Sequence, residues 1–167
     1  MLMVRLVRYD GDIDGFISGS EKVTHDKVTT IHVITPNDID IRESKALAES
    51  FCTITSRFEH EKFEYDKVTV CRLISRLEKL APSQGSEWKL LTLEVIYIRD
   101  GIISVAPQAP ESIPTFEGVE KFPKGYRYGA WLLAKIGIKS RDDLPQEDDR
   151  KSVKEVFDRN YEWLNAA

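Results

Sequence analysis

The chain has 167 residues, enough for one domain or two small ones, and 41% hydrophobic with 31% charged residues mark a globular chain, not a disordered or fibrous one. A formal net charge of −4 argues against a generic nucleic-acid coat. No apolar stretch approaches the roughly 18 residues of a membrane span, and MLMVRLVRYDG lacks the length and cleavage site of a signal peptide. Cys52 and Cys71, without metal spacing, read as reduced core residues of an intracellular protein, so the expected compartment is the cytoplasm.

Leu2, Val4 and Leu6 alternate with other residues, which predicts a strand over 2–9. The next twelve residues, Asp10 to Glu21 (DGDIDGFISGSE), fit every fixed position of D-x-[DN]-x-[DN]-G-x5-E. In that order Asp10, Asp12 and Asp14 offer carboxylates and Gly15 allows a sharp turn. The Phe16 carbonyl and Ser18 follow, and Glu21 closes the set with two oxygens. The segment resembles the calcium loop of EF-hand proteins, and the resemblance, confined to these residues, implies a Ca2+ site. The same residues also contain Asp10-Gly11 and Asp14-Gly15, two hairpin-turn dipeptides between apolar runs. On that reading they are a turn leading into a second strand at 13–18. A third strand is predicted at 29–35.

Pro36-Asn37-Asp38 ends that strand, and Asp40 with Glu43 forms a capping-box-like helix start. Leu47, Phe51, Ile54 and Phe58 step by four, three and four, the spacing of one helical face. A second helix is predicted from Asp66, with Val70, Leu73, Ile74, Leu77 and Leu80 as its stripe and Pro82 as its stop. Residues 88–98, WKLLTLEVIYI, are apolar on both faces and read as a central strand, followed by a hairpin turn at Arg99-Asp100-Gly101.

Prolines 107, 110, 114 and 123 predict an extended strap over 107–125. A helix carrying Tyr128, Trp131, Leu132 and Ile136 then ends at Gly137-Ile138 in a Schellman-type stop. A last helix, roughly 146–163, buries Val153, Val156, Phe157 and Tyr161 or Leu164. The expected fold class is α+β: an antiparallel sheet packed with two helices, followed by a C-terminal two-helix lobe. The domains would be 1–106, the strap 107–125, and the lobe 126–167 packed on the first.

Catalysis has little support. The histidines are His25, His32 and His60, and nucleophile-elbow, P-loop, dinucleotide-binding and H-E-x-x-H patterns are missing. From Lys121 to Arg141 there are basic residues and no acidic one, with aromatics interleaved. Lys124, Tyr126, Arg127, Tyr128, Lys135, Lys139 and Arg141 are therefore candidate contacts to a partner or a nucleic acid. The acidic run Asp142 to Asp149 follows at once and could neutralise them. The reading is a non-enzymatic macromolecule-binding protein, such as a subunit, an adaptor, or an inhibitor or immunity-type protein of bacterial or phage origin. A protein partner is expected, and Ca2+ is the one cofactor suggested. The alternatives are a calcium-binding module through 10–21 and a nucleic-acid binder through 121–141.

Overall fold

The computed structural model describes residues 3–6, 9–24, 29–85, 87–105 and 115–166, the side chains at 5, 6, 10 and 21–24 excepted. Six strands form one sheet: β1 (Met3–Leu6), β2 (Tyr9–Asp12), β3 (Thr30–Arg42), β4 (Lys45–His60), β5 (Phe63–Lys79) and β6 (Trp88–Ser104). Among the described residues three α-helices accompany it: α1 (Ile13–Thr24), α2 (Arg127–Lys135) and α3 (Arg150–Asn165). The strand order is β2-β1-β6-β5-β4-β3, antiparallel throughout except where β1 runs parallel to β6.

This sheet overturns the expected fold class. The two helices predicted over 40–58 and 66–80 are the long strands β4 and β5. Their apparent helical stripes mix two opposite faces. Leu47 packs with Ile74, Ile96, Val156 and Leu164 under α3. Cys52 packs with Cys71, Tyr97, Tyr126 and Ala130 under α2. A strand buried on both faces at its start, at Ala46 and Leu47, and on one face further along, at Cys52, Ser56 and Phe58, loses its period-two signature. Its largest apolar residues then fall by coincidence at spacings of three and four.

The turn between β4 and β5 was equally hidden. His60 pairs with Phe63, and the two intervening residues, Glu61 and Lys62, have φ of 50° and 71°. Positive φ at both central residues is the backbone of a type I′ hairpin, usually signalled by Asn-Gly or Asp-Gly. Conversely, Arg99-Asp100-Gly101 was read as a turn but lies inside β6, which continues to Ser104.

The expected strand at 13–18 is the start of α1. Asp12 precedes the helix, and its Oδ1 accepts the Gly15 amide at 2.9 Å, an N-cap bond. Helix α2 ends as expected: Gly137 has φ 76°, Ile138 N–H donates to the Leu133 carbonyl at 2.9 Å, and Gly137 N–H donates to Ala134 at 3.1 Å. Helix α3 is capped by Asp149, whose side chain accepts the amides of Lys151 and Ser152. Prolines 107, 110 and 114 of the expected strap lie outside the described residues, while Pro123 precedes a 3-10 turn at Lys124–Tyr126.

The C-terminal aromatics are used on the sheet. Tyr126 packs against Tyr97 with tilted rings whose centroids lie 4.8 Å apart, and Trp131 joins Phe58 and Tyr65 in a further cluster. Phe157 and Trp163 flank the contact between α3 and the sheet.

Candidate functional site

Among the described residues, exposed aliphatic side chains are concentrated on β3. Among those same described residues it is an edge strand, bonded to β4 alone. Ile31, Val33, Ile34, Ile39 and Ile41 are 54–60% exposed, and every residue from Ile31 to Ile39 is exposed. A long, apolar strand with an unpaired edge is a template for another chain, and natural proteins usually blunt it with charge, proline, a bulge, shortness or a cover; in β3 the proline and the bulge come only at Pro36 to Asp38, which leaves Thr30 to Thr35 unblunted.

The direction of its free backbone groups follows from one hydrogen bond. Arg57 N–H donates to the Thr29 carbonyl at 2.9 Å, so residue 29 is bonded to β4. Bonded and unbonded pairs alternate in an antiparallel ladder. Ile31, Val33 and Thr35 therefore point their N–H and C=O toward β4. Thr30, His32 and Ile34 point theirs outward, and Pro36 occupies the next outward position, where its missing N–H costs the sheet nothing.

A bulge between Pro36 and Asp38 then shifts the register. It turns Ile39 and Ile41, opposite Ala48 and Ala46, onto the face that carries Ile34, opposite Cys52. Ile31 and Val33, opposite Thr55 and Thr53, lie on the other face, where they continue an apolar surface across the sheet. That surface includes Phe51 and Ile103, 42% and 58% exposed, and the half-buried Val68 and Val70. At its rim Arg57 and Asp66 neutralise each other through bonds of 2.8 and 3.0 Å.

The residues singled out in the sequence are placed as follows. Asp10 and Asp12 lie on β2; Asp14, Phe16, Ser18 and Glu21 lie along α1. The side chains of Asp10 and Glu21 lie outside the described residues. Asp12 caps α1, and Gly11 and Gly15 both press on the Tyr9 hydroxyl so closely that a Cβ at either would collide with it. Among the described residues no group of three or more His, Cys, Asp or Glu side chains converges as a metal site would require.

In the basic–aromatic segment, Tyr126 is buried, and its hydroxyl accepts the Leu144 amide at 3.4 Å. Arg141 forms a two-bond pair with Asp143 at 2.8 and 2.7 Å, and Lys124 lies 3.8 Å from Asp148. The Lys135 ammonium sits 5.0 Å from the Trp131 ring centre. Arg127 and Tyr128 open α2, half-buried, and Lys139 is exposed beyond it.

A polar cleft of about 160 Å³ opens where α3 meets β6, lined by Glu94, Arg141, Asp143, Ser152, Glu155 and Arg159. Its charges answer one another: Arg159 bonds Glu94, and Arg141 bonds Asp143. The edge strand was only half visible in the sequence. The strand was expected to end at 35, and Asp38 to Arg42, whose alternation of Asp and Ile has period two, was assigned to a break and a helix cap.

No helix among the described residues is long and apolar enough to cross a membrane. No protein-family model matches the chain. Over 114 residues, 66% of its length, it is 32% identical to a PEP2-like protein of Fusarium vanettenii, covering 46% of that protein. Over 109 residues, 65% of its length, it is 30% identical to Pea pathogenicity protein 2 of the same fungus, covering 45% of it. The chain thus spans a little under half the length of these curated relatives.

Proposed function

We propose that this protein acts by binding another polypeptide, whose extended segment adds to the sheet along β3. The observation that carries the reading is the 13-residue edge strand with five exposed aliphatic side chains. Strand addition draws its affinity from main-chain hydrogen bonds and its selectivity from alternate side-chain contacts. The outward groups of Thr30, His32 and Ile34 supply the first, and the exposed aliphatics on both faces supply the second. The similarity to Pea pathogenicity protein 2 favours a role in fungal pathogenicity, while the protein contact is argued from β3 alone.

The reading is tested by display selection of random peptides on the immobilised protein. Extended, alternating apolar sequences should be enriched. Their binding should be lost in Val33→Lys with Ile34→Lys and kept in Ile136→Lys, which alters an equally exposed isoleucine beyond α2. Circular dichroism would confirm that the variants fold. Selected peptides that bind the β3 variant as tightly as the parent protein would overturn the reading.

A further inference from the structure

We propose that the segment taken up by β3 is β3 of a second copy of this chain, paired antiparallel about a two-fold axis through His32. This rests on the strand-addition reading above and names its occupant.

The backbone sets the axis. Pro36 cannot donate, so the outward groups that both donate and accept are those of Thr30, His32 and Ile34, and His32 is their centre. Rotation about His32 sets Thr30 against the partner's Ile34, and His32 against its own copy. Every outward donor in the stretch then meets an outward acceptor. A two-fold contact of this kind is self-complementary by construction and closes after two copies.

The side chains agree with that register. On the face shared with Phe51, Ile31 falls opposite the partner's Val33, and Val33 opposite the partner's Ile31. Cross-strand pairs of β-branched residues stabilise a sheet. On the other face, Thr30 meets the partner's Ile34.

Charge favours a second copy and disfavours parallel pairing. From Thr29 to Asn37 the chain carries no acidic or basic residue apart from His32. Nothing in this stretch repels an identical strand or recruits a charged one. Asp38 and Asp40 lie beyond it, and antiparallel pairing sends the two copies' aspartates to opposite ends. Parallel pairing would set them side by side, which is destabilising for like charges. The pairing also makes one twelve-stranded sheet in which the two apolar patches around Phe51 and Ile103 become neighbours. Contacts built mainly on one strand pair fall below the roughly 1,200 Å² of stable interfaces and belong to weak, reversible pairs. A dissociation constant in the micromolar range is expected.

Sedimentation velocity of the full chain, run from low to high micromolar concentration, tests the proposal. The expected result is a concentration-dependent shift from monomer to dimer, abolished by Ile34→Lys and unaffected by Ile136→Lys. Register is tested by mild oxidation. His32→Cys should form a disulfide-linked dimer, because directly opposed residues in a bonded pair lie about 5.5 Å apart, within disulfide reach. A monomer at every concentration overturns the proposal, and so does cross-linking of Val33→Cys in place of His32→Cys. If the protein is monomeric but the display peptides still require an intact β3, self-pairing fails and strand addition stands. If it is monomeric and those peptides ignore β3, both fail.

Discussion

The Asp100 carboxylate, projecting from β6, accepts the Gly129 amide at 2.8 Å, so the first turn of α2 is capped by a residue of the sheet. The cap comes from 29 residues away and joins two elements through one side chain. Asp100→Ala should cost about 1 kcal/mol, the usual price of losing a cap, read by urea denaturation.

The same residue gives a pH signature. Burial pushes the Asp100 carboxyl above its usual range, while the amides of Gly129 and Tyr128, then Lys67 and Arg127, pull it back only in part. The folded state therefore binds this proton more tightly than the unfolded chain. Its contribution is fully present below about pH 4 and declines as pH rises through the folded value. Asp100→Asn keeps an acceptor and removes the titration. The stability of the parent protein relative to Asp100→Asn should be greater at pH 4 than at pH 7. A difference that does not change with pH would refute this account.

How much of this was legible in the sequence can be read from particular residues. The Gly137 stop and the central position of β6 were visible because each rests on local chemistry: a left-handed glycine, and a strand apolar on both sides. Strands β4 and β5 were not, because Leu47 is buried by α3 and Cys52 by α2 on opposite faces of one strand. That switch is a tertiary fact, and no local period encodes it. The Glu61-Lys62 turn hid for a related reason, since sheet pairing holds two ordinary residues at positive φ. Asp100-Gly101 misled in the opposite sense. Its aspartate serves a helix distant in sequence, and the pair only resembles a turn. The outward isoleucines of β3 were in plain view as β-formers; that no described strand pairs beyond them appears only once the strand order is known.

Cys52 and Cys71 lie directly opposite each other on β4 and β5, both as free thiols and both buried. The Cys71 Sγ–H donates to the Cys52 carbonyl at 3.6 Å. Burial, with the neighbouring Cys52 thiol adding to it, pushes the Cys71 thiol up to about 12. Thiolate is the reactive form, so neither cysteine should react with a disulfide reagent such as DTNB in the native protein at pH 8. Both should react once urea unfolds the chain. Rapid stoichiometric labelling of the folded protein would contradict the placement of this pair.

His32 provides a second pH test, in dilute protein where copies do not pair. His32 is exposed on the edge strand, yet partial desolvation by its strand neighbours lowers its imidazole below the usual value, and the Lys67 ammonium on β5 lowers it further. Below pH 6.5 the unfolded chain takes up a proton that the folded state resists. Stability should fall as pH drops from there through the folded value and then level off. In His32→Gln this part of the pH dependence should vanish. If the slopes of the two proteins superimpose, His32 is not the group responsible.

Asn160 is fully buried where α3 meets the sheet. Its Oδ1 accepts Arg76 Nε at 2.6 Å, and its Nδ2 donates to the Val156 carbonyl at 2.7 Å and to Glu94 Oε1 at 3.3 Å. Arg159 also bonds Glu94, and Arg76 Nη2 donates to the Arg159 carbonyl at 2.9 Å. One amide thus joins a strand guanidinium to a strand carboxylate beneath the helix. Removing it leaves charged groups short of partners, which costs about 1–3 kcal/mol per buried group. Asn160→Ala should therefore destabilise the protein by about 2–3 kcal/mol in urea titrations. Asn160→Leu, which restores the volume but no polar atom, should be no better. Recovery of most of the lost stability in the leucine variant would show that Asn160 fills space, and that the network with Arg76 and Glu94 does not hold α3 to the sheet.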